Sequence, residues 1–507
     1  MRDDRAVVIG AGMGGLAAAI DLATAGYAVT LLERAAAAGG KMREVEVGGA
    51  PVDSGPTVLT MRWVFDAMFA AAGARLEDHV ALQPLAVLAR HAWSSGAQLD
   101  LHADLHASAD AIGAFAGARA AKSFLTFSAA AQRMHDTLLD TYLRASKPNP
   151  LQLAQRVGWR RVGDLLAIRP FDTLWRAICD HFKDARLRQL FARYATYCGS
   201  SPFRAPATLM LIAHVEQQGV WTVEGGMKRL ADALVALAVA KGVTFRFGAE
   251  VARIETEHGR VCGVRLANGE RLAAPTIVSN ADPAHFHAVA PLRPRERSLS
   301  AITWSVRART TGFPLTRHNV FFSGDYPTEF RQLDARNAPP SDPTIYVCAQ
   351  DRRDDGDFAD AERLLVLVNA PARGDTAPLT PREIDACEKT VMNRLARSGL
   401  TISDAQVTRT TPQDFDTLFP ASGGALYGRA THGWTASFQR PGSRTKMPGL
   451  YLTGGGVHPG PGVPMAAISG RLAAQAILAD RASTSSSRQA AMRGGISMPS
   501  ATTNSTA

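Results

Sequence analysis

Residues 6–33 read AVVIGAGMGGLAAAIDLATAGYAVTLLE, and this stretch decides the fold class of the chain. An apolar run ends at Ile9, the pattern G-x-G-x-x-G follows at residues 10–15, and an alanine-rich segment leads into a second apolar run. This order predicts a strand, a tight turn, a helix and a second strand. A βαβ unit therefore opens the chain, in the context that makes the glycine pattern informative.

The glycines and the acidic residue of this unit have separate expected roles. Gly10 permits the tight turn, Gly12 lets the backbone approach a pyrophosphate, and Gly15 lets the helix pack close to the sheet. The start of the helix offers free N–H groups and the positive end of its dipole to phosphates. Glu33 ends the second strand, where a carboxylate accepts hydrogen bonds from ribose hydroxyls and repels a 2′-phosphate. We therefore expect a dinucleotide other than NADP.

The amino-acid composition restricts the expected cellular location of the protein and its expected binding partners. Lysine and arginine outnumber acidic residues 56 to 46, and the net charge of +10 favours anionic partners such as nucleic acid or a phospholipid surface. No nucleic-acid-binding motif accompanies the charge, so we assign it to an anionic membrane surface. The five cysteines form no C-x-x-C pair, so neither a metal site nor a disulfide framework is indicated, and a reducing cytoplasm is expected. The N-terminus does not resemble a signal peptide, and no run of ~20 apolar residues predicts a membrane span.

The domain organisation follows from where α/β character appears along the 507 residues. Residues 62–225 are predicted to be largely helical, and a mixed pattern precedes the final strand and helix. We predict an α/β fold in which a discontinuous Rossmann-like domain carries an inserted mixed α+β domain. The expected boundaries are 1–70, 225–290 and 441–480 for the nucleotide domain, 71–224 and 291–440 for the inserted domain, and 481–507 for a disordered, Ser/Thr-rich tail.

Two further glycine motifs decide between flavin and nicotinamide. Gly39-Gly40-Lys41 follows Glu33 closely, and residues 450–456 (LYLTGGG) precede the last predicted helix. With the N-terminal unit, they make the chain resemble the superfamily of FAD amine oxidases and carotenoid desaturases. The resemblance implies FAD, with its diphosphate between the first and the last helix. No second G-x-G-x-x-G follows a strand, so we expect the organic substrate to be the electron donor and oxygen or a quinone to be the acceptor.

Five other segments extend the resemblance to the bacterial carotenoid desaturases: residues 53–60, 194–206, 219–227, 279–282 and 453–464. Within that family, residues 55–62 (GPTVLTMR) and 191–197 (FARYATY) are most similar to the 1-hydroxycarotenoid 3,4-desaturases, with phytoene desaturase as the alternative. The resemblance implies C3,4-desaturation of a 1-hydroxyneurosporene-type carotenoid in carotenoid biosynthesis of a photosynthetic bacterium. It also implies a peripheral enzyme at the cytoplasmic face of the inner membrane, with the inserted domain holding the substrate and meeting the membrane.

The motifs and the resemblance together give the expected site residues. For FAD they are Gly10, Gly12, Met13, Gly14, Gly15, Glu33, Arg34, Gly40, Lys41, Met42, Val251, Gly455, Gly462 and Val463. His458 is an expected catalytic residue because it begins segment 458–464, whose prolines and glycines allow a close approach to the isoalloxazine. Asp184 and Arg188 are similar in placement to an acid/base pair of the family, and an ordinary salt bridge is the alternative. The polyene can stabilise an allylic cation after hydride transfer, so a strong protein base is optional.

The sequence leaves alternative interpretations open for the membrane contact and for the enzyme class. Arg156, Trp159, Arg160 and Arg161, near the apolar residues 207–213, are candidates for a basic surface beside an apolar entrance; a solvated turn and a core helix are the alternatives. An amine or protoporphyrinogen oxidase would share the flavin scaffold. A flavin-binding or lipid-carrier protein without catalysis would share it as well.

Overall fold

The computed structural model describes residues 4–286, 296–335, 337–353 and 360–493, without the side chains of Trp159, Val162 and residues 484–493. The strands of these residues are β1 (Arg5–Ile9), β2 (Ala28–Leu32), β3 (Glu44–Val47), β4 (Ala50–Asp53), β5 (Leu82–Pro84), β6 (Val87–Ala92), β7 (Gln98–His102), β8 (Trp221–Val223), β9 (Thr244–Arg246), β10 (Val251–Glu257), β11 (Arg260–Leu266), β12 (Arg271–Ala273), β13 (Thr276–Ser279), β14 (Ser300–Gly312), β15 (His318–Phe321), β16 (Ile345–Ala349), β17 (Glu362–Ala370), β18 (Leu400–Thr410) and β19 (Leu450–Leu452). The α-helices are α1 (Met13–Thr24), α2 (Trp63–Ala71), α3 (Leu105–Ala116), α4 (Ala118–Leu138), α5 (Pro150–Val157), α6 (Val162–Ala167), α7 (Leu174–His181), α8 (Ala185–Ala192), α9 (Leu211–Gln217), α10 (Lys228–Ala240), α11 (Tyr326–Asp334), α12 (Pro381–Arg397), α13 (Pro412–Leu418), α14 (Ala436–Gln439) and α15 (Val463–Arg493).

A parallel sheet forms the base of the nucleotide site. Its strand order is β19-β13-β1-β2-β9, and every neighbouring pair is parallel. β1 is central and nearly continuous in buried apolar residues, as expected of a strand covered on both faces. The predicted βαβ unit is confirmed. Because the strands are parallel, the carboxyl ends of β1, β13 and β19 meet at one edge, where their glycine-rich and polar loops converge.

Helices α1 and α15 pack against each other on one face of this sheet, although they are far apart in sequence. A methyl group on Gly470 of α15 would lie 2.2 Å from the backbone oxygen of Gly14 and 2.9 Å from the Ala17 methyl group of α1. The absence of a side chain at Gly470 therefore permits the close approach. An ion pair between Asp21 and Arg471, 3.1 Å apart, joins the same two helices.

A second, mixed sheet has the order β18-β14-β17-β16-β15-β6-β7. β15 and β6 are parallel, and the other neighbouring pairs are antiparallel. α12 covers one face of this sheet, where Trp304 is fully buried and its ring N–H donates to Glu388 at 2.9 Å. The helices between residues 105 and 217 form a separate apolar core that includes Val320 and Phe322 near the other end of the sheet. β6 and β7 thus bring an early segment into a sheet built mainly after residue 300.

Residues 62–225 are largely helical, as predicted, although the short strands β5, β6, β7 and β8 interrupt the helices; β7 shows the alternating burial of a strand. The predicted start of the tail is wrong. The tail is not disordered from residue 481, because α15 continues to Arg493. A helix extends at little cost once nucleated, since each added residue gains one backbone hydrogen bond. Residues 494–507 lie outside the described part of the chain.

Among the described residues, no helix has both the length and the apolar character that crossing a membrane requires.

The contact between α1 and α15 gives a testable prediction about stability. We expect Gly470→Ala to lower the free energy of unfolding by about 1–3 kcal/mol, because the new methyl group overlaps a backbone oxygen. Gly113→Ala in α3 is the control, since its methyl group would meet only Ala121 at 3.4 Å. This control is expected to be neutral or to stabilise by up to ~1 kcal/mol. Denaturant unfolding measures both, and equal effects would contradict the close packing.

Candidate functional site

A cavity of about 1430 Å³ opens at the carboxyl edge of the parallel sheet. The turn after β1, the loop after β13 and the loop after β19 line it, and it continues between α9, α11 and the mixed sheet. Pockets for one small ligand usually measure ~300–1,000 Å³. The cavity therefore has room for a dinucleotide and a second, largely apolar molecule.

Two helix N-termini face the cavity and fit a diphosphate. α1 begins after Gly12 with no side-chain cap and no acidic residue in its first turn. α15 begins at Val463, which lines the same cavity, and its first turn also lacks an acidic residue. The first N–H groups of a helix have no partner within the helix, so both ends attract an anion.

Glu33 is fixed for binding a ribose. Its carboxylate is 8% exposed, and its two oxygens accept from the backbone N–H groups of Ala11 at 2.7 Å and Ala35 at 2.8 Å. Each carboxylate oxygen has a further lone pair for a hydroxyl donor. Glu33 lines the cavity, so these residues fit the adenosine half of a dinucleotide.

Charged side chains that are partly or fully buried line the cavity wall. Lys41 donates from Nζ to the backbone oxygen of Leu426 at 2.6 Å. Burial lowers the pKa of Lys41 to about 8, while the carboxylate of Asp282 opposes this shift and the cation of Arg440 adds to it. Lys41, Asp282 and Arg440 all line the cavity. They supply the polar groups that fix the orientation of a cofactor in a mostly apolar site.

The residues predicted to bind FAD converge on this cavity, with one exception. Those that line it are Gly10, Gly12, Met13, Gly14, Glu33, Arg34, Gly40, Lys41, Met42, Val251, Gly455, Gly462 and Val463. Gly15 lies behind the wall, where a methyl group would stand 2.0 Å from the backbone oxygen of Gly10. Its contact is between helix and strand, as its place in the glycine pattern implies.

The residues predicted to act in catalysis do not reach the cavity. Asp184 caps α8 and pairs with Arg186 at 2.7 Å, and Arg188 donates to the backbone oxygen of Phe182 at 2.8 Å. The salt bridge between Asp184 and Arg188, which was the alternative to an acid/base pair, is not formed.

His458 lies just behind the cavity wall, which its neighbour Pro459 lines. Its Nε2 is 2.9 Å from the backbone oxygen of Ala145 and 3.0 Å from that of Tyr142. Burial lowers the pKa of His458 to about 4, so the ring is neutral at pH 7 and holds the loop to these carbonyl groups.

The sequence did not predict a group of polar residues on the cavity wall, which we call the polar wall: Thr57, Arg193, Tyr197, Glu216, Tyr326, Glu329 and Tyr346. Thr57 lies in the quoted motif GPTVLTMR, and Arg193 and Tyr197 lie in FARYATY; both motifs marked a resemblance without assigning a role. Tyr326 and Glu329, one helical turn apart on α11, belong to no motif. Their shared function depends on tertiary contacts that local sequence does not reveal.

Glu329 is the polar-wall residue that titrates near neutral pH. Its carboxylate oxygens accept from the backbone N–H of Thr344 at 3.0 Å and from the Thr344 hydroxyl at 2.7 Å. Burial raises the pKa of Glu329 to about 7 against these hydrogen bonds, and the carboxylate of Asp342 adds to the shift. At neutral pH the carboxyl group of Glu329 is therefore partly protonated.

One group of described residues outside the cavity has the geometry of a possible metal site. The ligand atoms of His135, Asp136 and His214 lie within 4.8 Å of one another. His135 Nδ1 already contacts Asp136 at 3.2 Å.

Comparison with known proteins places the chain in a family. The family "Flavin containing amine oxidoreductase" matches residues 13–478. A hydroxyneurosporene desaturase of Rubrivivax gelatinosus is 53% identical over 99% of this chain and 98% of its own length, and one of Cereibacter sphaeroides is 47% identical over 95% and 99%. A putrescine oxidase with redesigned cofactor binding shares the fold at 15% identity, with a TM-score of 0.61 over 94% of this chain and 99% of that chain.

The chain belongs to the family of flavin-containing amine oxidoreductases, and it is an FAD-dependent oxidoreductase. Within this family it groups with the hydroxyneurosporene desaturases, to which it is similar over nearly its whole length. The predicted fold class, the cofactor and the resemblance to the carotenoid desaturases are confirmed.

The raised pKa of Glu329 predicts how stability depends on pH. In the unfolded chain the pKa returns towards 4.5, so between pH 4.5 and about 7 the folded state binds more protons. This carboxyl group therefore lowers the free energy of unfolding as the pH rises through that range. We expect Glu329→Gln, which retains an oxygen acceptor, to gain about 2 kcal/mol over the wild type between about pH 5 and pH 8. Denaturant unfolding at both pH values measures the gain, and a pH-independent difference would contradict it.

Proposed function

We propose that the protein is an FAD-dependent carotenoid desaturase that introduces the C3,4 double bond into a 1-hydroxyneurosporene-type carotenoid. It acts in carotenoid biosynthesis of a photosynthetic bacterium, at the cytoplasmic face of the inner membrane. The observation that supports this proposal most directly is that one cavity joins the dinucleotide site to a long apolar chamber with an apolar mouth. The names of the relatives that are 44–53% identical support the substrate class.

The residues of the cavity support this chemistry. Bound FAD supplies the hydride acceptor. The N-termini of α1 and α15 would hold its diphosphate and Glu33 would hold its ribose, and Lys41 and Arg440 line the same cavity. Leu209, Ile212 and the neighbouring apolar side chains exclude water from the polyene. The double bond forms when the cation left by hydride transfer loses a proton; because the polyene delocalises the positive charge, a weak base is sufficient to accept that proton.

The chamber opens where large apolar side chains are exposed. Phe171 is 79% exposed and Trp434 49%, their rings meet edge to face at 5.6 Å, and both line the cavity. Leu151 and Leu166 on the adjacent α5 and α6 are 67% and 72% exposed. Apolar side chains exposed together on a protein surface indicate a binding site for lipid or protein. A long hydrocarbon dissolves in lipid and not in water, so this mouth faces the bilayer.

Basic residues lie beside this mouth, although fewer are available than the sequence implied. Arg156 donates to the backbone oxygens of Thr141 at 3.1 Å and Ser146 at 2.8 Å, and Arg161 pairs with Asp164 at 2.7 Å. The side chain of Trp159 lies outside the described part of the chain. We therefore assign most of the membrane affinity to the apolar mouth and the remainder to the net charge of +10.

The apolar segment 207–213 was expected beside an entrance at the protein surface, but it lines the inside of the cavity. Thr208, Leu209, Leu211 and Ile212 line the inner chamber and are partly buried. The segment is therefore part of the substrate channel and not of the outer surface.

If the protein attaches to the membrane through the mouth, replacing an apolar residue there will weaken membrane binding more than replacing one elsewhere. We expect Phe171→Ser to weaken sedimentation with anionic liposomes about tenfold, because one exposed aromatic side chain no longer enters the lipid. Phe247→Ser is the matched control, since Phe247 is 42% exposed but does not line the cavity. An equal loss in both variants, or none in either, would overturn this assignment of the membrane face.

The substrate is tested with liposomes that contain either phytoene or 1-hydroxyneurosporene. Holoenzyme with oxygen or a quinone should lengthen the polyene of the hydroxylated carotenoid and leave phytoene unchanged, as absorbance and chromatography of the pigments will show. Conversion of phytoene alone would assign the chain to the phytoene desaturases. Turnover of neither carotenoid, with oxidation of an amine instead, would refute the proposed function.

A further inference from the structure

Several buried polar atoms of the polar wall form no hydrogen bond within the protein. These are the Nε and Nη2 atoms of Arg193 and the hydroxyl of Tyr326. Both residues line the cavity, and their side chains are 7% and 5% exposed. An unpartnered buried polar group costs ~1–3 kcal/mol and is rare in native proteins. Such groups at the wall of an apolar chamber therefore indicate a ligand with a polar atom.

Arg193 is held rigidly in the wall. Its guanidinium group lies 5.0 Å from the ring centre of Tyr194 and 5.2 Å from that of Tyr197. Nη1 donates to the Tyr197 hydroxyl, and the carboxylate of Glu216 lies 3.6 Å from Nη2. The hydroxyl groups of Tyr194 and Tyr197 each donate to Glu216 at 2.7 Å. This network fixes the cation, while Nε and Nη2 form no hydrogen bond and Nη2 has only the longer ion-pair contact with Glu216.

Tyr326 is held by packing alone. Its ring lies 5.0 Å from that of Phe330 and 6.4 Å from those of Trp175 and Phe203. Burial and then the carboxylate of Glu329 raise the pKa of Tyr326 well above its ordinary value, and Arg193 opposes them. The phenol is therefore protonated at neutral pH, and it can donate as well as accept a hydrogen bond.

The polar wall is connected to the flavin side of the cavity. The hydroxyl groups of Thr57 and Tyr346 lie 2.7 Å apart. Thr57 follows Gly55, which packs so tightly on the loop of Lys41 that a methyl group there would stand 1.8 Å from its backbone oxygen. Thr57 and Tyr346 thus join the polar wall to the loop that carries Lys41. In a carotenoid desaturated at C3,4, the C1 hydroxyl is only a few atoms from the reacting bond.

We propose that Arg193 and Tyr326 bind the terminal hydroxyl of the carotenoid and thereby select hydroxylated substrates, an inference that rests on the function proposed above. An alcohol has one donor and two acceptor sites. Arg193 donates to its oxygen, and Tyr326 accepts its proton or donates to the second lone pair. A hydrocarbon end group would leave both side chains unpartnered, which is the condition under which a site rejects an analogue that lacks the hydroxyl.

The test compares one carotenoid with and without its tertiary hydroxyl group, both present in the same liposomes. The measured quantity is the ratio of kcat/KM for the two substrates. We expect Tyr326→Phe to lower the preference for the hydroxylated substrate about tenfold, and Arg193→Lys to lower it further because the charged donor is displaced. Turnover of the hydrocarbon should be unchanged or faster in Tyr326→Phe, whereas structural damage would slow both reactions.

Tyr142→Phe is the matched control. Tyr142 also lines the cavity, but its hydroxyl already donates to the backbone oxygen of Ser437 at 2.7 Å, so the substrate ratio should not change. Because the Tyr326 hydroxyl has no partner to lose, thermal unfolding should show no destabilisation of Tyr326→Phe.

The possible outcomes distinguish a failure of this inference from a failure of the proposed function. A lowered ratio in Tyr326→Phe and an unchanged ratio in Tyr142→Phe support it. An unchanged ratio in Tyr326→Phe and Arg193→Lys, with the wild type still preferring the hydroxylated substrate, overturns the inference and leaves the desaturase function intact; ordered water is then the partner of these groups. A wild type that converts both substrates equally also overturns the inference alone. A wild type that converts neither refutes the proposed function, and the inference with it.

Discussion

The close contact between the first and the last helix is the constraint on which the cofactor site depends. α1 and α15 meet with no side chain at Gly470, and their N-termini open into the same cavity. Only a parallel sheet with β19 next to β13 and β13 next to β1 brings segments more than 400 residues apart to one edge. The glycines on this edge serve the packing as well as the ligand, because a methyl group on Gly14 would stand 2.5 Å from the Thr453 hydroxyl.

The same edge explains why one cavity can serve two ligands. The nucleotide domain provides helix ends and a buried carboxylate at one end, and the mixed sheet and the helices of the inserted segments provide apolar walls at the other. Two cations on the wall, Lys41 and Arg440, are partly and fully buried and donate to backbone oxygens. Burial of charge costs free energy, and a bound anionic cofactor beside these side chains would offset part of that cost.

The sequence predicted the features that local chemistry determines. The βαβ unit follows from residues 6–33, and α12 begins where Thr380 and Glu383 form a complete capping box. Nearly all of the predicted cofactor residues line the cavity. A glycine motif at the end of a strand indicates where its residues lie in the fold, at the carboxyl edge of the sheet.

What the sequence could not predict depends on contacts between distant segments. The polar wall combines residues from 57, 193–216 and 326–346, and no spacing along the chain relates them. Asp184 and Arg188 have the spacing of a helical ion pair, but the carboxylate of Asp184 pairs with the nearer Arg186 instead. His458 had the expected neighbours, but its ring turns to backbone oxygens behind the wall.

The central claim is that the flavin and the polyene share one cavity, so that the substrate itself is the electron donor. The most direct test is a single turnover without oxygen or quinone, with holoenzyme in excess over hydroxylated carotenoid and then with carotenoid in excess. The account predicts that the desaturated product will not exceed one molecule per bound flavin until an acceptor is added, after which turnover resumes. Product formation that continues without any acceptor, or that proceeds equally well in protein stripped of FAD, would contradict it.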